Sequence, residues 1–330
     1  MKRALVFLAI TFGITYAYDF LVVYPIAQGT TPYASEFLSP DLAYMVAVAL
    51  TMFFPALGVV LTRLVTREGF QNCVLKPRPW RQSLPWFAAA WFGPLLFVIA
   101  GAAVYFLIFP SDFDPNMISF FAAQREAAAA SGADAATLAA VDASAANPPL
   151  FALILLGQCA IAPALNLVTT LGEEWGWRGY LMPKVSTRLS IVPTMLVTGI
   201  VWGLWHAPVV ALGHNYGTGY PGEPFGGIAA MCAWCTVLAI FLSYVTIRTG
   251  STFAAAIGHG AVNGTTNGVT LFSLSGGNPF VGPLCTGIVG GLPLLGVAAL
   301  MLWDMRRREK AGTLRIPEAG LPDGAHRSRR

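Results

Sequence analysis

The sequence predicts an all-α, polytopic membrane helix bundle with about eight transmembrane helices. Hydrophobic residues make up 55% of the chain and charged residues only 11%, whereas soluble domains are about a quarter charged. Mean hydropathy is +0.62. Apolar runs of about 20 residues, long enough to cross a hydrocarbon core of roughly 30 Å, recur along the chain. The basic residues fall between alternate runs, as the positive-inside rule requires.

The runs follow in order. Ala4–Val23 comes after Lys2 and Arg3, a pattern shared with signal peptides. No small-x-small cleavage site followed by a soluble domain succeeds it, so it reads as a retained span. Leu42–Leu64 and Leu84–Phe109 form the second and third spans, with Arg63, Arg67, Lys76, Arg78 and Arg81 around their junction. The stretch 111–149 is an Ala-rich outer loop with five acidic residues and only Arg125 as a cation. It is too polar to span and suits one or two short surface helices. Leu150–Thr170 and beyond is the fourth span, closed by Lys184 and Arg188. Ile191–Leu212, Gly227–Ile247, Thr252–Leu271 and Leu284–Trp303 complete the set, with Arg248 after the sixth and Arg306, Arg307, Arg308 and Lys310 after the eighth.

This pattern puts both termini in the cytoplasm, and with no organelle-targeting feature in the sequence a bacterial-type plasma membrane is expected. Residues 1–305 form one transmembrane domain, and 306–330, which include Pro317 and Pro322, read as a flexible basic cytoplasmic tail. The net charge of +4 is spread over the membrane edges rather than gathered into a nucleic-acid patch. Among the five cysteines, Cys232 and Cys235 make a C-x-x-C inside an apolar helix and read as packing residues.

Against this background the polar residues at membrane depth stand out, because their default reading is functional. Glu173, Glu174 and Arg178 lie in Leu171-Gly172-Glu173-Glu174-Trp175-Gly176-Trp177-Arg178-Gly179-Tyr180. Trp202 and His206 are four apart, as are His259 and Asn263, so each pair shares a helix face. Counted from Arg188 and Arg248 at 1.5 Å per residue, Glu173, His206 and Asn263 fall roughly 20–25 Å deep and His259 roughly 16 Å deep. This assumes unbroken helices. Glu174 and Arg178, one turn apart, form an ion pair, while Glu173 is rotated about 100° away and free for other work.

A glutamate, two histidines and an amide are the parts that water attack on an amide requires. The carboxylate can serve as base, one histidine can orient it or shuttle the proton, and the other with the amide can stabilise an oxyanion. Neither a G-x-S-x-G elbow nor an H-E-x-x-H is present, which sets aside that type of serine nucleophile and that zinc motif. Two Glu and two His are still compatible with zinc as an alternative. Asp19 reads as an interfacial residue and His214 as an ordinary outer-loop histidine. Trp175, Trp177, Trp202 and Trp205 suit packing as well as a substrate groove, and Asn166, Thr265, Thr266 and Asn267 suit interhelical hydrogen bonds.

These motifs resemble those of the CPBP family of intramembrane glutamic endopeptidases, the CAAX-protease and bacteriocin-processing group that includes type 2 CAAX prenyl endopeptidases. That family carries E-E-x-x-x-R, F-x-x-x-H and H-x-x-x-N. The first is matched by Glu173, Glu174 and Arg178 and the third by His259 and Asn263. The second is matched at His206, with Trp202 in place of Phe. The resemblance covers 172–263. It implies a hydrolase in which Glu173, assisted by His206, activates water, and His259 and Asn263 stabilise the oxyanion. Glu174 and Arg178 then hold the site. It also implies no essential cofactor and a peptide or protein substrate within the bilayer, membrane-anchored and lipidated forms included, with no nucleic acid. Two other classes fit the same polar cavity: a non-catalytic membrane scaffold or immunity-type binding protein, and a proton- or solute-conducting transporter.

Overall fold

The computed structural model describes residues 1–30 and 39–320. It is all-helical apart from two isolated β-bridges, Phe113 with Ser273 and Asn278 with Gly282. We number the helices α1 Lys2–Ala27, α2 Pro40–Val65 and α3 Trp80–Ile108, then α4 Ile118–Ala130, α5 Ala135–Ala145, α6 Pro148–Leu165 and α7 Leu167–Gly176. There follow α8 Met182–Ser186, α9 Ile191–Trp205, α10 Ala207–Val210, α11 Phe225–Thr249, α12 Thr252–Thr265 and α13 Leu292–Lys310. Turns of π-helix interrupt α1 at Asp19–Val23 and join α7 to α8 at Trp177–Leu181.

Local chemistry sets several of these boundaries. Ser39, Asp134, Asn147 and Ser251 each accept a backbone N–H at a helix start, satisfying donors that have no intrahelical partner. Gly250, at φ 73°, ends α11 in the left-handed conformation, and α12 begins two residues later. The outer loop contains the two short helices α4 and α5, tied by an Arg125–Asp142 ion pair at 2.9 Å.

Five helices are long and apolar enough to span: α1, α2, α3, α6 and α11. The segments anticipated as spans four, five and seven are broken. The fourth divides at Asn166 into α6 and α7, because Asn166 turns its side chain back onto the Ala162 carbonyl at 3.0 Å and onto Gly260 O at 3.5 Å. The fifth ends at Trp205 and resumes as α10 after His206, with Pro208 in the new first turn. The seventh passes from α12 into a 3₁₀ turn, Thr266–Phe272. The eighth begins at Leu292, eight residues later than the sequence suggests.

Burial ranks the helices. Within their most apolar stretches α11 is 61% buried inside the molecule and α6 only 17%. Helix α11 is therefore the central post, and α6 presents Leu153, Ile154, Ile161 and Leu165 outward, as a lipid-facing helix would. Close approach around the centre depends on missing side chains. A Cβ on Gly199 or Gly203 of α9 would lie 2.4 Å from the Thr236 or Cys232 Cα of α11, a small-xxx-small crossing. Helix α7 meets α2 the same way: a Cβ on Gly172 would lie 2.6 Å from Met52 O, and one on Gly176 2.4 Å from Pro55 Cβ. These two glycines flank Glu173 and Glu174 and hold them against α2.

A charge cluster closes one end of the bundle. Glu68 is fully buried and accepts the Tyr180 hydroxyl at 2.7 Å, while Lys184 bonds its other oxygen and Arg3 lies 3.9 Å away. Arg63, also buried, donates to the carbonyls of Gly69 and Gln71 at 2.9 Å. Arg3, Arg63 and Lys184, which in sequence mark the membrane edge, are thus packed inside this cluster. Where the sequence suggests a tail from 306, residues 306–310 continue α13. Leu314 and Ile316 pack on the α9–α11–α13 core, and Gly320 N donates to Asn72 O at 3.1 Å. Residues 321–330, including His326, lie outside the described residues.

Candidate active site

Glu173 and Glu174 sit on the last turn of α7, with 2% and 0% of their surface exposed. The π-helical turn that follows keeps Arg178 within reach. Its guanidinium donates to Glu174 Oε1 at 3.0 Å, so the pair expected from spacing forms. Glu174 has a second partner that spacing does not reveal: the same Oε1 bonds His259 Nδ1 at 2.9 Å. A carboxylate accepts, so Nδ1 carries the proton and Nε2 is the nitrogen left for a ligand.

Glu173 turns the other way. Its Oε2 accepts the Trp202 indole N–H at 2.9 Å. The Arg178 guanidinium stacks 4.0 Å above the Trp202 ring, and His259 meets that ring edge-on at 5.3 Å. Trp202 therefore touches Glu173, the arginine and both His259 and His206, and makes a bond to Glu173 that a phenylalanine lacks. On α9's terminal turn, His206 Nδ1 lies 2.9 Å from Trp202 O. Since a carbonyl only accepts, this nitrogen is the donor and Nε2 again stays free.

The four residues proposed for chemistry converge. Glu173 from α7, His206 from the end of α9, and His259 and Asn263 from α12 all line one cavity of about 230 Å³. Helix α12 packs against α3, α6, α7 and α11, and Thr170 donates its hydroxyl to Ala256 O at 2.8 Å, locking α7 to α12 at the level of the site. Asn263 makes no side-chain hydrogen bond among the described residues, so its amide is available to a ligand. Of the four tryptophans, Trp202 and Trp205 line the cavity. Trp177 packs between Phe7 and Trp205, and the Trp175 indole donates to Cys73 O at 3.0 Å. Asn166 does join helices, whereas Thr266 and Asn267 lie on the cavity wall.

Two cavity residues escaped the sequence reading. His214 is no ordinary loop residue: its ring lies parallel to that of His206, centroids 6.3 Å apart, and it lines the cavity. Asp19 is 2% exposed and lines the same cavity from the π-helical turn of α1. No pattern in the sequence marks His214, because the loop after α10 folds back on the site. For Asp19, a carboxylate within an apolar run is the signal. Among the described residues, no group of three or more His, Cys, Asp or Glu side chains is disposed to hold a metal ion.

Fold and site together define a polytopic integral membrane protein built around a buried glutamate–histidine cavity. Residues 150–265, which build most of that cavity, match the family model of the Rce1-like, type II CAAX prenyl endopeptidases. The chain is also similar to CAAX prenyl protease 2 of Methanococcus maripaludis, with 36% identity over 52 residues. That stretch is 16% of this chain and 19% of the relative, so the match spans about a fifth of the relative's length.

Proposed function

We propose that this protein is an intramembrane endopeptidase of the CAAX-protease type that hydrolyses a peptide bond with a glutamate-activated water. The observation that carries the reading is the convergence of Glu173, His206, His259 and Asn263, from three helices, on one cavity. In this mechanism Glu173 takes a proton from water as the oxygen attacks the scissile carbonyl. His206, with Nε2 unengaged, accepts a hydrogen bond from the same water and fixes its line of approach. The carbonyl oxygen gains negative charge and is stabilised by the Asn263 amide and by the His259 ring, whose Nδ1–H is held by Glu174. Donors placed in this way contribute several kcal/mol to such a transition state. Collapse of the tetrahedral intermediate breaks the C–N bond. The proton held by Glu173 passes to the leaving nitrogen, giving a new amine and a new carboxyl terminus with no covalent enzyme intermediate.

The substrate class that fits is a membrane-anchored peptide or protein, since the reacting groups sit within the bundle. The relative's name points to prenylated CAAX substrates, and nothing in the cavity requires that group. Comparing membrane proteomes of cells with the native protein and with Glu173→Gln tests the proposal. The expected result is a defined set of proteins that keep an uncleaved terminus in the variant and in His206→Ala. If the phenotype of the native protein survives Glu173→Gln and no terminus changes, the scaffold reading replaces this one. Proton-coupled uptake that depends on Glu173 would instead favour a transporter, and stoichiometric zinc in purified protein with chelator-sensitive cleavage would favour the metal alternative.

A further inference from the structure

The catalytic proposal leaves Asp19 without a task. Its carboxylate is 98% enclosed, and Oδ1 has no hydrogen-bond partner. No Lys, Arg or His of the described residues forms an ion pair with it, in contrast to Glu174, which Arg178 and His259 both bond, and to Glu68, which has Lys184 and Arg3. The polar groups beside it on the cavity wall are engaged elsewhere: Thr15 Oγ1 receives the Trp205 indole N–H at 2.8 Å, and Thr51 donates to Val48 O at 2.6 Å. The cavity wall also carries the apolar side chains of Val48, Met52 and Val209. A carboxylate in such surroundings is costly unless something supplies the missing donor. The π-helical turn Asp19–Val23 adds a residue to the helical turn there and helps bring the side chain to the cavity, a distortion often found at functional positions.

We infer that Asp19 is a specificity residue that binds a cationic side chain, lysine or arginine, of the peptide that occupies the cavity. This rests on the peptide-cleaving reading above but concerns recognition rather than bond breaking. Glu173 has the Trp202 indole and Glu174 has Arg178 and His259, whereas Asp19 has no hydrogen-bond or ion-pair partner among the described residues, and a cation on the peptide would complete it. An ammonium or guanidinium group supplies several donors and cancels the charge in one contact, and an acidic side chain at that subsite is repelled.

Binding can be measured apart from cleavage. The probes are hydrophobic peptides carrying a single lysine, norleucine or glutamate at each position in turn, and the receptor is the full chain with Glu173→Gln in lipid nanodiscs. The expected result is one position at which lysine improves affinity at least about tenfold over norleucine and glutamate weakens it. Adding Asp19→Asn should remove the lysine advantage, and Asp19→Glu should retain part of it. Equal affinities for lysine and norleucine at every position, or a lysine advantage that survives Asp19→Asn, overturns the inference. Should Asp19→Asn fail to fold, Asp19→Glu and the glutamate peptides against the unaltered Asp19 still decide it. Cleavage by the Glu173 protein is read separately: a lysine preference without turnover sinks the peptidase reading alone, and turnover without a preference sinks only the Asp19 assignment.

Discussion

At the scale of single residues the site depends on which acceptor holds which donor. Trp202 stands where the resemblance calls for phenylalanine, and its indole N–H, 2.9 Å from Glu173 Oε2, fixes the carboxylate. A hydrogen bond to a charged group contributes about 1.5–3 kcal/mol. Trp202→Phe should therefore lower kcat by roughly 10- to 100-fold, with KM little changed, as measured on any substrate found by the proteome comparison. A fall in affinity with kcat intact would mean that the indole serves packing rather than the carboxylate. Glu174 has the opposite character. Its Oε1 holds both Arg178 and His259, so Glu174→Ala leaves a buried guanidinium without its counter-charge. Removing one partner of a buried pair typically destabilises by about 3–5 kcal/mol, and unfolding in mixed micelles should show a loss of that order. Glu173→Gln, whose partner is a neutral indole, should be far milder in the same assay.

At the scale of elements, the site is set by how closely helices approach. Helix α7 lies against α2 because Gly172 and Gly176 present no side chain there. An alanine at 176 would put a Cβ 2.4 Å from that of Pro55. Gly176→Ala should cost about 1–3 kcal/mol through overpacking and should displace Glu173 from the cavity. Gly157→Ala in α6 provides the contrast, because its new Cβ meets nothing within 4 Å. Alanine is the better helix former, so that variant should be neutral or slightly stabilised. Equal Tm values for the two variants would remove close packing as the reason for the glycine at 176. The motif residues line one cavity although the helices that carry them are broken. Each break, at Asn166, at His206 and after Thr265, falls at or near the cavity, and the short segments between breaks stay aligned through α12.

At the scale of the whole molecule, the bundle has a polar end as well as a polar centre. Glu68 gathers Tyr180, Lys184 and Arg3 and so ties the loop after α2 to α8 and to the start of α1. The segment 311–320 runs past it, with Gly320 packed against the Glu68 side chain so closely that a Cβ there would collide with it. Glu68→Ala leaves the cations of the cluster without their carboxylate, and should lower stability by about 3 kcal/mol or more. Glu68→Gln keeps an acceptor for the Tyr180 hydroxyl and should fall in between. The measurement is equilibrium unfolding in detergent. A Glu68→Ala protein as stable as the parent would show that the cluster is not what holds these segments together.

Composition and hydropathy alone determined that the chain is a membrane helix bundle, since burying so little charge beside so much apolar surface requires lipid as solvent. Spacing alone determined the Glu174–Arg178 pair, because residues four apart on a helix must meet. The motif residues, in order, pointed to the family whose model matches residues 150–265. Only the tertiary structure decided what lies between helices. It showed that Glu174 is shared with His259 and that the Trp202 indole belongs to Glu173. It also showed that Asp19, distant in sequence, and His214, in the loop after α10, face the same cavity as the motif residues. The physical reason is that periodicity encodes which face of a helix a residue occupies. Which other helix that face meets is set by glycine-lined crossings and by breaks such as Asn166, whose consequences appear only once the helices are packed.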